Sequence, residues 1–143
     1  MSSVTQIMLG SLLLFGCILI HLIILSLTIS HLRRRIDDSK PRQISLHYMK
    51  WLAISLGSLV ISHTIQIWIM AGSVRTLGAL SDFPTSLYFS LVTYTALGYG
   101  DVILSEGYRL FGAFGSVIGL LAFGLSTAFL VGLFTRIMPN EFT

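Results

Sequence analysis

Four stretches of this chain carry no Asp, Glu, Lys or Arg: residues 1–32, 51–74, 83–100 and 110–135. Lipid offers no hydrogen-bond partners, so a chain that crosses it must pair its backbone internally, as a helix or a closed barrel does. A helix of about 20 apolar residues spans the roughly 30 Å hydrocarbon layer. The first, second and fourth stretches exceed that length, and the third falls just short of it. The pattern predicts an all-α membrane protein with three transmembrane helices and one half-length element. Composition agrees: 10% of residues are charged, against about a quarter in soluble domains.

The charges outside these stretches fix an orientation. Arg33, Arg34, Arg35, Lys40, Arg42 and Lys50 crowd between the first two stretches. Cytoplasmic loops carry such an excess, so this loop is expected inside and the N-terminus outside. Arg136 follows the last stretch and puts the C-terminus in the cytoplasm, most naturally across a plasma (inner) membrane. Arg33-Arg34-Arg35 is contiguous at the membrane edge rather than spaced along a helix. It reads as a topology signal that meets anionic lipid headgroups, not as a voltage sensor. The net charge of +3 arises in this loop, so membrane lipid is an expected partner and nucleic acid is not. The N-terminus lacks the basic n-region of a cleaved signal peptide. Cys17, the single cysteine, has no intrachain disulfide partner.

Helix one is expected over residues 5–32 and helix two over 46–73, joined by a polar turn, 33–45, around Pro41. Residues 1–45 thus read as an additional N-terminal helix with its basic linker, and 46–143 as the functional domain. The third stretch differs in kind. Asp82 is placed to cap a helix, and Pro84 suits a first turn, where its missing N–H costs nothing. A helix over 84–94 measures about 16 Å, half a membrane. After it, Thr95-Ala96-Leu97-Gly98-Tyr99-Gly100-Asp101 suits an irregular loop better than more helix. The last helix, 108–138, is rich in small residues. Gly112/Ser116 and Gly115/Gly119 are pairs that let helices approach closely, and Pro139 is expected to end it.

Residues 93–101, Thr-Tyr-Thr-Ala-Leu-Gly-Tyr-Gly-Asp, resemble the filter signature of potassium-channel pore domains. The resemblance covers residues 82–134 and includes the order outer helix, pore helix, filter, inner helix. It implies a homotetramer around a central pore, with K⁺ held by backbone carbonyls of Ala96, Leu97, Gly98 and Tyr99 that replace its water. Gly98 and Gly100 then supply backbone conformations closed to other residues. No organic cofactor is implied. Asp101, whose counterpart in the family holds the filter to its supporting helix, adds charge at the outer mouth, and Glu106 adds more.

Two departures stand out. The family usually has Thr where this chain has Ala96, so the innermost ion site loses a ring of hydroxyls. Val92 replaces a Glu that in some relatives pairs with the Asp101 counterpart, which leaves filter support to packing by Tyr88, Phe89 and Tyr94. By alignment with the inner helix, Gly119 and Gly124 are candidate gating hinges, while close packing explains Gly119 as well. His21 and His63 lie inside membrane stretches and are candidates for pH sensing or simple interhelical bonding. Gln66 and Thr64 read as interhelical hydrogen-bonding groups. Trp51 and Tyr48 at the inner surface, and Trp68 at the outer, read as interfacial anchors. Helix one is expected to pack on helix two, with Gly10 and Gly16 at the contact.

The function that follows is passive K⁺ conduction. Two rivals remain at this point. One is a weakly selective monovalent cation channel, motivated by Ala96. The other is a regulatory membrane subunit that does not conduct. An enzyme is not expected, because no nucleophile–base constellation or ligand cluster stands out.

Overall fold

A computed structural model describes the backbone of residues 1–36 and 44–137 and the side chains of 1–33 and 49–135. Four helices form: α1 (Ser3–Ile36), α2 (Ile44–Thr76), α3 (Phe83–Tyr94) and α4 (Arg109–Ile137), the last preceded by a single 3-10 turn. Among the described residues there is no strand. Three helices are long and apolar enough to cross a membrane; α3, with 12 residues, spans only about 18 Å. The expected turn at Pro41 and helix end at Pro139 lie outside the described residues. So do the side chains of Arg34, Arg35, Lys40, Arg42, Tyr48 and Arg136.

Local chemistry sets the ends of α3. The Asp82 carboxylate accepts the Thr85 N–H at 2.8 Å, with Pro84 in the first turn behind it. That bond, more than any other influence, holds the Asp82 carboxyl below its ordinary range. α2 ends at Thr76, and Gly78 just beyond it has a φ of 72°, in the left-handed region favoured by glycine.

α4 packs against all the other helices, and α3 is wedged between α2 and α4. The small residues of α4 face α3. A Cβ on Gly112 would meet Leu104 and Phe89, and one on Gly115 would meet Met70 and Thr93. The core behind α3 is Met70, Val74, Phe89, Leu104 and Phe111; a second cluster joins Cys17, Tyr94, Ile118 and Ala122.

α1 differs from its expected placement. It packs on α4 as well as α2, and Gly10 is buried against the Phe114 ring of α4. Gly16 has no neighbour where a Cβ would stand. The reason is polar as well as steric. The Gln6 side-chain oxygen accepts the Leu110 N–H at 3.0 Å, so α1 caps the free amides that begin α4. Two further readings change. Thr64 bonds within its own helix, to the Val60 carbonyl at 2.7 Å. Trp51 is buried against Leu32 and Leu133 rather than displayed at the interface, whereas Trp68 is exposed. Thr64 is claimed by the carbonyl one turn back on its own helix, a local bond that helical threonines commonly make, and Trp51 by residues distant in sequence.

Gly10→Ala tests the α1–α4 contact. The added methyl must displace the Phe114 ring, and overpacking of this kind costs about 1–3 kcal/mol. Thermal unfolding in detergent is expected to show that loss, while Gly16→Ala is expected to change little.

Candidate functional site

Residues 95–101 leave the end of α3 as a stretch of irregular backbone. Ala96, Gly98 and Gly100 have φ of 56°, 56° and 78°, while Leu97 and Tyr99 between them stay negative. This alternation turns successive peptide groups the same way. The amide side faces α3: Thr95 N donates to Leu91 O, Ala96 N to Thr93 O, and both Leu97 N and Gly98 N to Val92 O, at 2.9–3.3 Å. The carbonyls of Ala96, Leu97, Gly98 and Tyr99 accept no hydrogen bond among the described residues. The whole segment is exposed.

Ala96 pays for its place. A side-chain-bearing residue in the left-handed region costs about 1–2 kcal/mol, and the sequence gives no sign that position 96 needs that region. The Thr95 hydroxyl turns back to the Leu91 carbonyl at 2.9 Å, so it braces the helix end. The last-turn carbonyls of α3 are in part occupied by the amides of residues 95–98.

The support of the outer end is more specific than packing. The Tyr88 hydroxyl donates to the Asp101 carboxylate at 2.6 Å, and the Val102 N–H donates to its other oxygen at 3.0 Å. A tyrosine on α3 thus does from position 88 what a glutamate at 92 does in some relatives. Val92 and Phe89 line a cavity of about 200 Å³ behind Gly98 and Gly100. Glu106 lies 3.7 Å from Arg109, with both side chains exposed, a weak pair.

The inner end is held by α4. A Cβ on Gly119 would collide with the Tyr94 carbonyl oxygen, and the Ser116 hydroxyl donates to the Thr93 carbonyl at 2.9 Å. Gly119 therefore has a packing role whatever it does in gating; Gly124 has no neighbour within reach of a Cβ. His21 and His63 come together with ring centroids 5.3 Å apart, joined through Ser126, a residue sequence reading passed over as merely small.

With this geometry the comparisons with known proteins are direct. The sequence pattern of the ion-channel family (Ion_trans_2) matches residues 52–136. The chain belongs to the ion-channel family. The channel is also similar to the A-type voltage-gated potassium channel KCND3 of Homo sapiens and of Rattus norvegicus, at 31% identity over 106 residues. That covers 69% of this chain but only 16% of each relative. No solved structure matches the chain. The resemblance carried by residues 82–134 is thereby borne out, and the family is not one of enzymes.

The Tyr88 bond acts mainly on the ionised form of Asp101 and holds its carboxyl below the ordinary 3.8. A depressed carboxyl contributes stability that is complete above its ordinary value and is lost as pH falls through the depressed one. The Tyr88–Asp101 contact is therefore kept throughout the neutral range. In Tyr88→Phe the Asp101 carboxyl is expected to titrate closer to 3.8, followed by its side-chain carbon resonance. An unmoved midpoint would mean that the hydroxyl is not its governing partner.

Proposed function

We propose that four copies of this chain assemble around a central pore and conduct K⁺ selectively down its gradient. The reading rests on one observation above the others: the amides of Thr95, Ala96, Leu97 and Gly98 turn to α3, and the carbonyls of Ala96, Leu97, Gly98 and Tyr99 are left free. Free carbonyls at membrane depth are tolerated only where protein or water surrounds them. One chain cannot enclose its own exposed strip; a ring of chains can, and K⁺ is the partner that satisfies the carbonyls. The KCND3 relatives are potassium channels by name, which supports the choice of ion.

On this reading residues 46–143 form the pore domain, with α2 as outer helix, α3 as pore helix, 95–101 as filter and α4 as inner helix. Residues 1–45 add α1 and the basic linker, and lipid surrounds α1 and α2. The N-terminus lies outside and the C-terminus in the cytoplasm of a plasma membrane. Asp101 and Tyr88 hold the filter mouth, Phe89 and Val92 its back, and Gly119 and Gly124 are where α4 would bend.

Ala96 favours a second reading, a cation channel that discriminates weakly. Its side chain offers the innermost site no oxygen. Reversal potentials of the purified protein under opposed K⁺ and Na⁺ gradients separate the two: a selective filter reverses near the K⁺ equilibrium potential, a weak one near zero. Gly98→Ala is expected to abolish K⁺ flux with the helices still inserted, because a Cβ is strained at a φ of 56°. Normal flux in that variant would refute the filter assignment.

Ala96→Thr is expected to restore hydroxyl oxygens to the innermost site. Block by barium, which mimics a dehydrated K⁺, should then strengthen by about tenfold, the equivalent of about one good charge-assisted hydrogen bond. Unchanged block would place the hydroxyl away from the ion.

A further inference from the structure

A row of polar groups crosses the centre of the helix bundle. His21, Ser62, Gln66 and Ser126 are buried there, with His63 between them and Tyr94. Gln66 Nε2 lies 3.2 Å from the Ser62 carbonyl oxygen and 3.1 Å from His21 Nδ1. A carbonyl only accepts, so the Gln66 amide nitrogen donates to both. His21 Nδ1 is therefore an acceptor, and it also lies 2.8 Å from the Ser62 hydroxyl. The His21 proton sits on Nε2 and is donated to the Ser126 hydroxyl at 3.2 Å. Ser126 keeps its own hydrogen for His63 Nε2, at 3.0 Å. His63 Nδ1–H then donates to the Tyr94 hydroxyl at 2.8 Å. The row touches all four helices and ends on the last residue of α3.

Two features exceed what helix packing needs. Gln66 Oε1 has no partner although the residue is fully buried. And His63, while neutral, donates from one nitrogen and accepts at the other. A proton added to its ring makes both nitrogens donors, so the bond from Ser126 must reverse. His21 and His63 stand too close for both to be charged, so the pair takes one proton.

We propose that the His21–His63 pair is a proton-binding site whose occupation shuts down conduction. The proposal rests on the channel reading above. The titratable group facing the pair is Tyr94 on α3, and Cys17 on α1 packs in one cluster with that tyrosine. From α4 come Ser126 and Phe123, neither acid nor base. Among the described residues no carboxylate reaches the pair, so a bound proton brings an unneutralised charge. That charge sits against Tyr94, two residues before Ala96, in a low-dielectric setting where repulsion of a second cation is strong. It also reorients the Ser126 bond that ties α4 to α2. The Phe123 ring stacks on His63 at 4.7 Å and is 40% exposed, so a proton reaches the pair past its edge.

The test is K⁺ flux through the full chain in liposomes as pH falls from about 8 to about 5, the range in which histidines titrate. Flux is expected to fall about tenfold along a single-proton curve. Replacing both at once, His21→Gln with His63→Gln, keeps hydrogen-bonding side chains but leaves no group there to titrate; flux at pH 8 should remain and the fall should shrink to about twofold or less. Imidazole ¹⁵N resonances of the unaltered protein provide a measurement that needs no variant, and should show uptake of one proton per pair. Flux that stays level in the unaltered protein, a fall that persists in the doubly substituted protein, or no proton uptake would each overturn the proposal. Absence of K⁺ flux at every pH would sink the channel reading instead, and the resonances would still decide whether the pair binds a proton.

Discussion

Peptide carbonyls left without hydrogen-bond partners cannot rest against hydrocarbon, where each costs several kcal/mol. Ala96 to Tyr99 present four in succession, exposed on one chain. Much of the surrounding architecture serves to hold that strip in place. The amides of residues 95–98 are tied to the last turn of α3, so the strip cannot relax into helix or hairpin. Tyr88 fixes its outer end through Asp101 and the Tyr94 carbonyl, seated on Gly119, fixes its inner end. What remains unsatisfied is the carbonyl face, and its need for a partner is the driving force for both ion binding and assembly in the proposed channel.

The support depends on close approach. α4 reaches α3 because Gly112, Gly115, Ser116 and Gly119 clear its surface of bulk, and Ser116 adds a hydrogen bond to the Thr93 carbonyl. α1 then closes the back of α4 through Gln6 and Gly10. The additional N-terminal helix is thus a structural buttress of the inner helix. Polar groups at its middle, His21 among them, connect it through Ser126 and His63 to Tyr94 at the end of α3.

Several elements were legible because their physics is local. Charge-free length marks a membrane helix, Asp82 with Pro84 marks a helix start, and Gly98-Tyr99-Gly100 marks backbone that no helix or strand accommodates. Other features were not, because their partners are distant in sequence. Nothing near Ala96 announces a left-handed φ of 56°. Tyr88 looked like a packing residue until its hydroxyl met a carboxylate 13 positions on. Gln6 caps an amide 104 positions away, and Ser126 joins two histidines on two other helices.

By itself the sequence determined that this chain inserts three helices in a membrane, that a half-length helix feeds an irregular glycine-bearing loop, and that the chain resembles a potassium-channel pore domain. Hydrophobic length, capping chemistry and glycine stereochemistry are properties of a residue and its immediate neighbours. Tertiary structure alone decided which helix faces which, that α1 braces α4, that Tyr88 holds the Asp101 carboxylate, and that two histidines share one polar row. Those outcomes depend on which side chains a folded backbone brings within hydrogen-bonding distance, and spacing along a single helix does not contain that information.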